Sequence, residues 1–265
     1  MSERSERRPV PFRGGGFAPA PRRILPWIVF FVLIALWQAA SSVGLLPALF
    51  MPSPATVVRA LVELWLNGTL VEHISASLQR IIPGWIIGTA AGLAVGTAMG
   101  IFSAARAAGL PIVSALFPIP KIALLPLLIL WFGIGEPSKV ATIALGVFFP
   151  TVISAYSACD SVPRNLIRMA QSFNVPFHLI VRRVIWPGAL PSILAGFRIT
   201  ASVALLLVVS AEMIGAQYGI GAFVLQAGNL MQTDQLLAGV VILSLFGLAV
   251  GKAISVLEAR LLHWR

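Results

Sequence analysis

The sequence predicts an all-α membrane protein of six transmembrane helices. Three observations predict it. The 265-residue chain is 58% hydrophobic and only 11% charged, whereas a soluble domain is about a quarter charged. Its apolar residues fall into six runs, each near the ~20 residues that cross a hydrocarbon layer as a helix. Its basic residues cluster at the ends of those runs, the bias that orients membrane segments. A net charge of +10 could suit nucleic acid, but no polar domain gathers that charge with interleaved aromatics, so lipid is the expected partner and nucleic acid is not.

Residues 1–23 carry Arg4, Arg7, Arg8, Arg13, Arg22 and Arg23 with several prolines and Gly14-Gly15-Gly16. This reads as a disordered, cytoplasmic basic tail. The first span follows at about 24–44. Ala39-Ala40-Ser41 loosely resembles a signal-peptide cleavage site, but the run exceeds a usual signal core, which favours an uncleaved span. Pro52-Ser53-Pro54 predicts a turn into a short amphipathic helix, and Thr69 to Arg80 a second one. In the second span, about 81–102, Gly84, Gly88, Gly92, Gly96 and Gly100 recur every fourth residue. They share one slanted helix row, a face built for close packing against another helix in lipid.

The third span, about 110–132, holds Pro111, Pro118, Pro120, Pro126 and Lys121. Proline frees backbone carbonyls, which membrane depth tolerates only where protein or a watery cavity satisfies them. An intramembrane lysine either faces such a path or snorkels to an interface. The sequence leaves both readings of Lys121 open. Spans at about 139–158, 189–209 and 236–257 complete the set, with a loop at 212–235 between the last two. Arg59, Arg80 and Lys139 fall on the outer side with Glu63, Glu72, Glu136, Glu212 and Asp234. Arg106, Arg164, Arg168, Arg182, Arg183, Lys252, Arg260, Arg265 and the tail arginines fall inside. Both termini are therefore expected in the cytoplasm.

Catalytic chemistry is not expected. His73, His178 and His263 lie far apart, and Cys159 is the single cysteine, so neither a metal cluster nor a disulfide is indicated. The stretch 247–253, GLAVGKA, lacks the spacing and the hydroxyl of a phosphate loop. No catalytic, cofactor-binding or metal site is assigned to the chain.

Residues 161–187, SVPRNLIRMAQSFNVPFHLIVRRVIWP, depart from their apolar surroundings. Pro163 suits the first helical position, and Leu166, Ala170 and Phe173 recur at helical spacing opposite Arg164, Arg168 and Gln171. Asn174 suits a left-handed stop. Pro176 then starts a second short helix that Pro187 and Pro191 close. Two uses are open: a cytoplasmic helix–turn–helix that offers apolar residues to a partner's groove, or an amphipathic loop on anionic headgroups.

This segment resembles the cytoplasmic "EAA" loop of permease subunits in binding-protein-dependent ABC importers, in which Glu-Ala-Ala is followed by Gly and then by Ile-x-Leu-Pro. Arg168-Met169-Ala170, Asn174 and Val184-Ile185-Trp186-Pro187 occupy the matching positions. Ala170 and Pro187 match outright, while Arg168 stands for the glutamate, Asn174 for the glycine and Trp186 for the leucine. MPSPATVVRAL, ALLPLLILWFGIGEPSKV, FFPTVISAY, PGALPSILAGFRI and VVSAEMIG are similar, in order, to the nitrate/sulfonate/taurine permease family and cover most of residues 50–260. The resemblance implies a type I ABC importer permease fold in a prokaryotic inner membrane and a homodimer. It also implies an extracytoplasmic substrate-binding protein and two ATPase subunits that carry ATP and Mg, so that this chain binds no cofactor. It implies ATPase coupling through Arg164, Arg168, Met169, Ala170, Phe173, Asn174, Val175, Pro176 and Pro187. Pro118, Pro120, Lys121, Glu212 and Met213 are the candidate path residues, with Lys121 suited to attract an anion. The alternative function is a stand-alone secondary carrier or channel, which would need coupling carboxylates within the spans.

Overall fold

The computed structural model describes residues 24–262, and every regular element among them is helical. The basic segment 1–23 and the expected inside residues His263 and Arg265 lie outside the described residues. The chain divides into two units, 1–56 and 57–265. In the first, α1 (Leu25–Ser42) starts with a proline in its first turn and has no buried residue. Its end is set by Gly44, whose φ of +79° lets Gly44 N–H reach the Ser41 carbonyl and Leu45 N–H the Ala40 carbonyl. The helix α2 (Pro54–Leu66) begins behind Ser53, whose hydroxyl accepts the Thr56 N–H at 3.2 Å.

The second unit is built on three long helices: α3 (Thr69–Ile101), α6 (Glu136–Asp160) and α9 (Trp186–Gly215). The helices α3 and α6 run parallel and make the most extensive contact in the chain. The glycine row faces α6 throughout. A Cβ at Gly92 would stand 2.7 Å from the Phe148 carbonyl oxygen, and one at Gly96 2.5 Å from that of Val152. Gly84 meets Ile143, Gly88 meets the Ala144 main chain and Gly100 meets Cys159. The bare face lets two backbones touch, and α9 closes the bundle antiparallel. Ile81, Ile143, Val147, Ala204 and Val208 form its centre.

Four expectations are corrected. The break expected near residue 80 is absent, because α3 is one helix that takes Pro83 in its interior. The polar residues that suggested a separate outer helix are instead buried together, as described below. The third span is not straight: α4 (Ser103–Leu116) and α5 (Leu125–Phe132) meet at 86° across a 3₁₀ turn at Lys121–Leu124. Pro118 and Pro120 lie in the break, where neither can supply a helical N–H. The second arm of the 161–187 segment is not closed by Pro187. The short helix α8 (Phe177–Ile180) passes through a π-turn, Val181–Ile185, into α9, so 177–215 is one helical stretch. The wider turn accommodates the proline that an α-turn would resist. Finally, the expected outer loop 212–235 contains α10 (Ile220–Asn229), which packs on α9 and on α11 (Thr233–Leu261). Among the described residues, five helices are long and apolar enough to cross a membrane, or six if the bent pair counts as one span.

Candidate functional site

Three polar constellations stand out from the apolar bundle. The first is the block between α6 and α9. Here α7 (Arg164–Ser172) ends at Asn174, whose φ is +53°. Asn174 N–H bonds the Gln171 carbonyl at 2.9 Å and Val175 N–H the Ala170 carbonyl at 3.1 Å. This double closure fixes the angle between α7 and α8, and Pro176 caps α8. The block has two faces. Val162, Ala170, Ile180 and Ile185 are buried, with Val162 and Ile185 packed among Ala158, Cys159, Ala189 and Ile193. Leu166, Met169, Phe173 and Phe177 are exposed, Phe173 at 76%.

Ala170 is therefore buried instead of sharing the outward face with Leu166 and Phe173, as the spacing suggested. Arg182 and Arg183 are exposed, Arg164 and Arg168 line the cavity beside the block, and Pro187 lies in the first turn of α9. A cavity of about 430 Å³ separates the block from the ends of α3 and α6. On its wall Arg106 pairs with Asp160 at 3.1 Å, and Arg106 also lies over the Tyr156 ring at 5.1 Å.

The second constellation is the proline break. The Lys121 ammonium donates to the carbonyls of Leu116, Phe117 and Ile119 at 2.8, 3.1 and 2.7 Å. An ammonium has three donors, and here all three are used. It also lies 4.6 Å above the Phe149 ring. Lys121 thus satisfies carbonyls at the helix break, a third outcome beside the two readings from sequence. Lys121→Ala is expected to lower thermal stability in detergent by about 1 kcal/mol, as the carbonyls lose their donor.

The third constellation was not foreseen as a unit. At the end of the bundle remote from the block, Arg80 on α3 reaches two carboxylates. Its Nη2 donates to Glu136 Oε1 at 2.8 Å, its Nε to Glu136 Oε2, and its Nη1 to Glu212 Oε1 at 2.7 Å. The Tyr218 carbonyl takes a further bond at 2.7 Å. Ser77 donates to Glu212 Oε1 at 2.8 Å, and Gly221 N–H to Oε2 at 2.9 Å. The Ile220 amide donates to Ser77 Oγ, and His73 Nδ1 lies 2.9 Å from the Gly219 carbonyl oxygen. Gly219, at φ +136°, is fixed by space as well as angle, since a Cβ would collide with the Glu212 carboxylate.

Glu212 is 1% exposed and accepts three hydrogen bonds, so with Arg80 and Glu136 it ties α3, α6 and α9 together. Its neighbour Met213 is 39% exposed. The expected path residues are therefore not gathered into one channel: Lys121 lies at the break and Glu212 in this hub. His73, Ser77 and Arg80 recur at i, i+4 and i+7, a polar stripe on one helix face that the sequence does display. The pairing of Arg198 with Glu258, 3.0 Å across α9 and α11, has no such signal.

Comparison with known proteins bears on what these constellations serve. Residues 84–263 match the family model described as binding-protein-dependent transport system inner membrane component. The chain is 36% identical over 238 residues to the taurine transport system permease protein TauC of Escherichia coli (strain K12), covering 88% of this chain and 86% of that one. It is 35% identical over 234 residues to the putative aliphatic sulfonates transport permease protein SsuC of Bacillus subtilis (strain 168), covering 88% and 85%. Among solved structures, a chain of the MetNI methionine ABC transporter in inward-facing conformations superposes with a TM-score of 0.55 at 23% identity, over 70% of this chain and 96% of that one. A chain of an amino acid ABC transporter gives a TM-score of 0.55 at 15% identity, over 77% and 98%. These two likenesses are of fold.

Proposed function

The chain belongs to the family of binding-protein-dependent transport system inner membrane components, and from that premise we propose that it is the subunit through which an ATP-driven importer moves a small sulfonate-type anion. It is a multi-pass permease component of an ABC transporter with the all-α type I importer fold, and it is not an enzyme. Membership implies an ATPase and a substrate-binding protein as partners. In the proposed assembly two copies of the chain stand side by side. Both termini and the 161–187 block face the cytoplasm, and ATP and Mg are held on the ATPase subunits. Taurine and alkanesulfonates are the proposed solutes, from the names of the relatives, with nitrate added by the resemblance of the sequence motifs.

One observation carries the coupling role. The block presents Leu166, Met169, Phe173 and Phe177 to solvent on a base that is buried in the bundle and continuous with α9. An exposed apolar stripe on a segment that carries four arginines suits a groove with an acidic rim. Closure of two ATPases would then displace the block as a body, and the bundle with it. The test is reconstitution. With ATPase and binding protein in proteoliposomes, uptake of taurine or an alkanesulfonate should require MgATP. Uptake by the chain alone would establish the stand-alone carrier instead.

Arg168 stands where the family loop has glutamate, so its ATPase partner should carry an acidic residue opposite. Arg168→Glu is expected to weaken ATPase association about tenfold or more, with recovery when the opposing acid is changed to arginine. Coupled uptake that is unchanged or improved by Arg168→Glu refutes this docking.

A further inference from the structure

Most hydroxyl side chains within the long helices are hydrogen-bonded; the buried Thr89 on α3 is an exception that lies away from the cleft between α6 and α9. Thr142, Thr151, Ser202, Ser210 and Ser244 each donate to a carbonyl one turn back. This is how an apolar surrounding is usually met by serine or threonine. Ser154, Ser157 and Ser192 make no hydrogen bond among the described residues. All three line one cleft of about 500 Å³ between α6 and α9, bounded also by Phe117 and by Ser161 at the block end. An unbonded hydroxyl facing hydrocarbon is unfavourable, so such groups gathered between two helices suit a space that holds water or solute.

The cleft also has an electrostatic direction. Phe117 on its wall gives its carbonyl to the Lys121 ammonium at 3.1 Å. The cation is saturated with hydrogen bonds but its charge is not cancelled by any carboxylate there. Neutral rotating donors along the wall and a positive charge near one end suit an oxyanion. They would hold it weakly enough to release it, which conduction requires.

We propose that the cleft walled by Ser154, Ser157 and Ser192 is the section of the transport path that receives the oxyanion head of the solute. The inference rests on the permease reading and adds to it a location, a donor set and a solute chemistry. Ile199, 63% exposed on the rim, marks the side that the proposed second copy would close.

The chain has one cysteine, so Cys159→Ala gives a background for site-directed labelling in the complete importer with its ATPase and binding protein. Ser157→Cys and Ser192→Cys are compared with Ser244→Cys. The probes are 2-sulfonatoethyl methanethiosulfonate and its trimethylammonium counterpart, each rate divided by that for a free thiol. The anionic reagent is expected to label both cleft positions at least about tenfold faster than the cationic one, with no such preference at position 244. Taurine in excess should slow it. Absence of labelling, or equal labelling by both reagents, overturns the proposal. MgATP-driven uptake by the Cys159→Ala complex is measured in the same vesicles, so a failure of the permease reading shows separately. If a cysteine variant does not assemble, Ser157→Ala with Ser192→Ala replaces it. Uptake should then fall about tenfold; unaltered uptake overturns the proposal equally.

Discussion

Replacing Glu212 with alanine is expected to cost about 3 kcal/mol or more, enough to prevent accumulation of folded protein, because the buried Arg80 loses the enclosed one of its two carboxylates and keeps only the exposed one, Glu136. The Arg80 side chain is 5% exposed and Glu212 is fully enclosed, so water cannot take the place of the lost carboxylate. Ser77 and the Gly221 amide lose their acceptor in the same step. Glu136 provides the contrast. It pairs with the same guanidinium, yet its side chain is 58% exposed. Glu136→Ala should therefore cost about 1 kcal/mol or less, the range of solvent-accessible pairs. Glu212→Gln is expected between the two. Its carbonyl can accept from Ser77 and Arg80, but its amide would oppose the Gly221 N–H. Thermal melting in detergent and the folded yield from membranes measure the order; equal melting of the wild-type and Glu212→Ala proteins would refute the hub.

The second large effect is expected at Gly88. A Cβ there meets the main chain of Ala144, with Ala144 C and Cα both at 3.0 Å and the carbonyl oxygen nearer still. A side chain could turn aside, but a helix backbone cannot, so Gly88→Ala must push α3 and α6 apart. The displacement would loosen contacts along the whole seam, at a cost of about 3 kcal/mol, the upper range of overpacking. Gly251→Ala on α11 is the control. Nothing lies within 4 Å of its Cβ position, so alanine there should be neutral or stabilise by about 1 kcal/mol through helix propensity. Parallel melts and size-exclusion profiles of the two variants decide the matter. A Gly88→Ala protein as stable as Gly251→Ala would contradict the tight seam.

Much of the fold was legible because lipid makes a simple rule. Apolar length marks a span, and the four-residue glycine repeat marks a contact face, although the partner helix became visible only in three dimensions. Asn174 was legible for a similar reason: few residues other than glycine accept a positive φ, and the residue type alone announced the turn. What escaped was long-range polar pairing. Arg80, Glu136 and Glu212 are far apart in the chain and read singly as outer-loop charges, whereas folding buries them against one another. Pro187 misled for the opposite reason. Proline is a dependable stop only where the helix cannot change its pitch, and a single wider turn let α8 continue into α9. Ala170 was assigned to the outer stripe because a spacing of four places it near that face. The small side chain is buried instead.

The continuity of residues 177–215 has a mechanical consequence. A helix of that length extends roughly 58 Å at 1.5 Å per residue, so it reaches from the arginine-bearing block to the Arg80–Glu212 knot. A tilt of about 5° at one end swings the other by roughly 5 Å over such a length. Opening the far side of the bilayer then asks for no chain of side-chain rearrangements through the interior. In the proposed orientation, one continuous helix would convert a nudge in the cytosol into travel at the opposite surface.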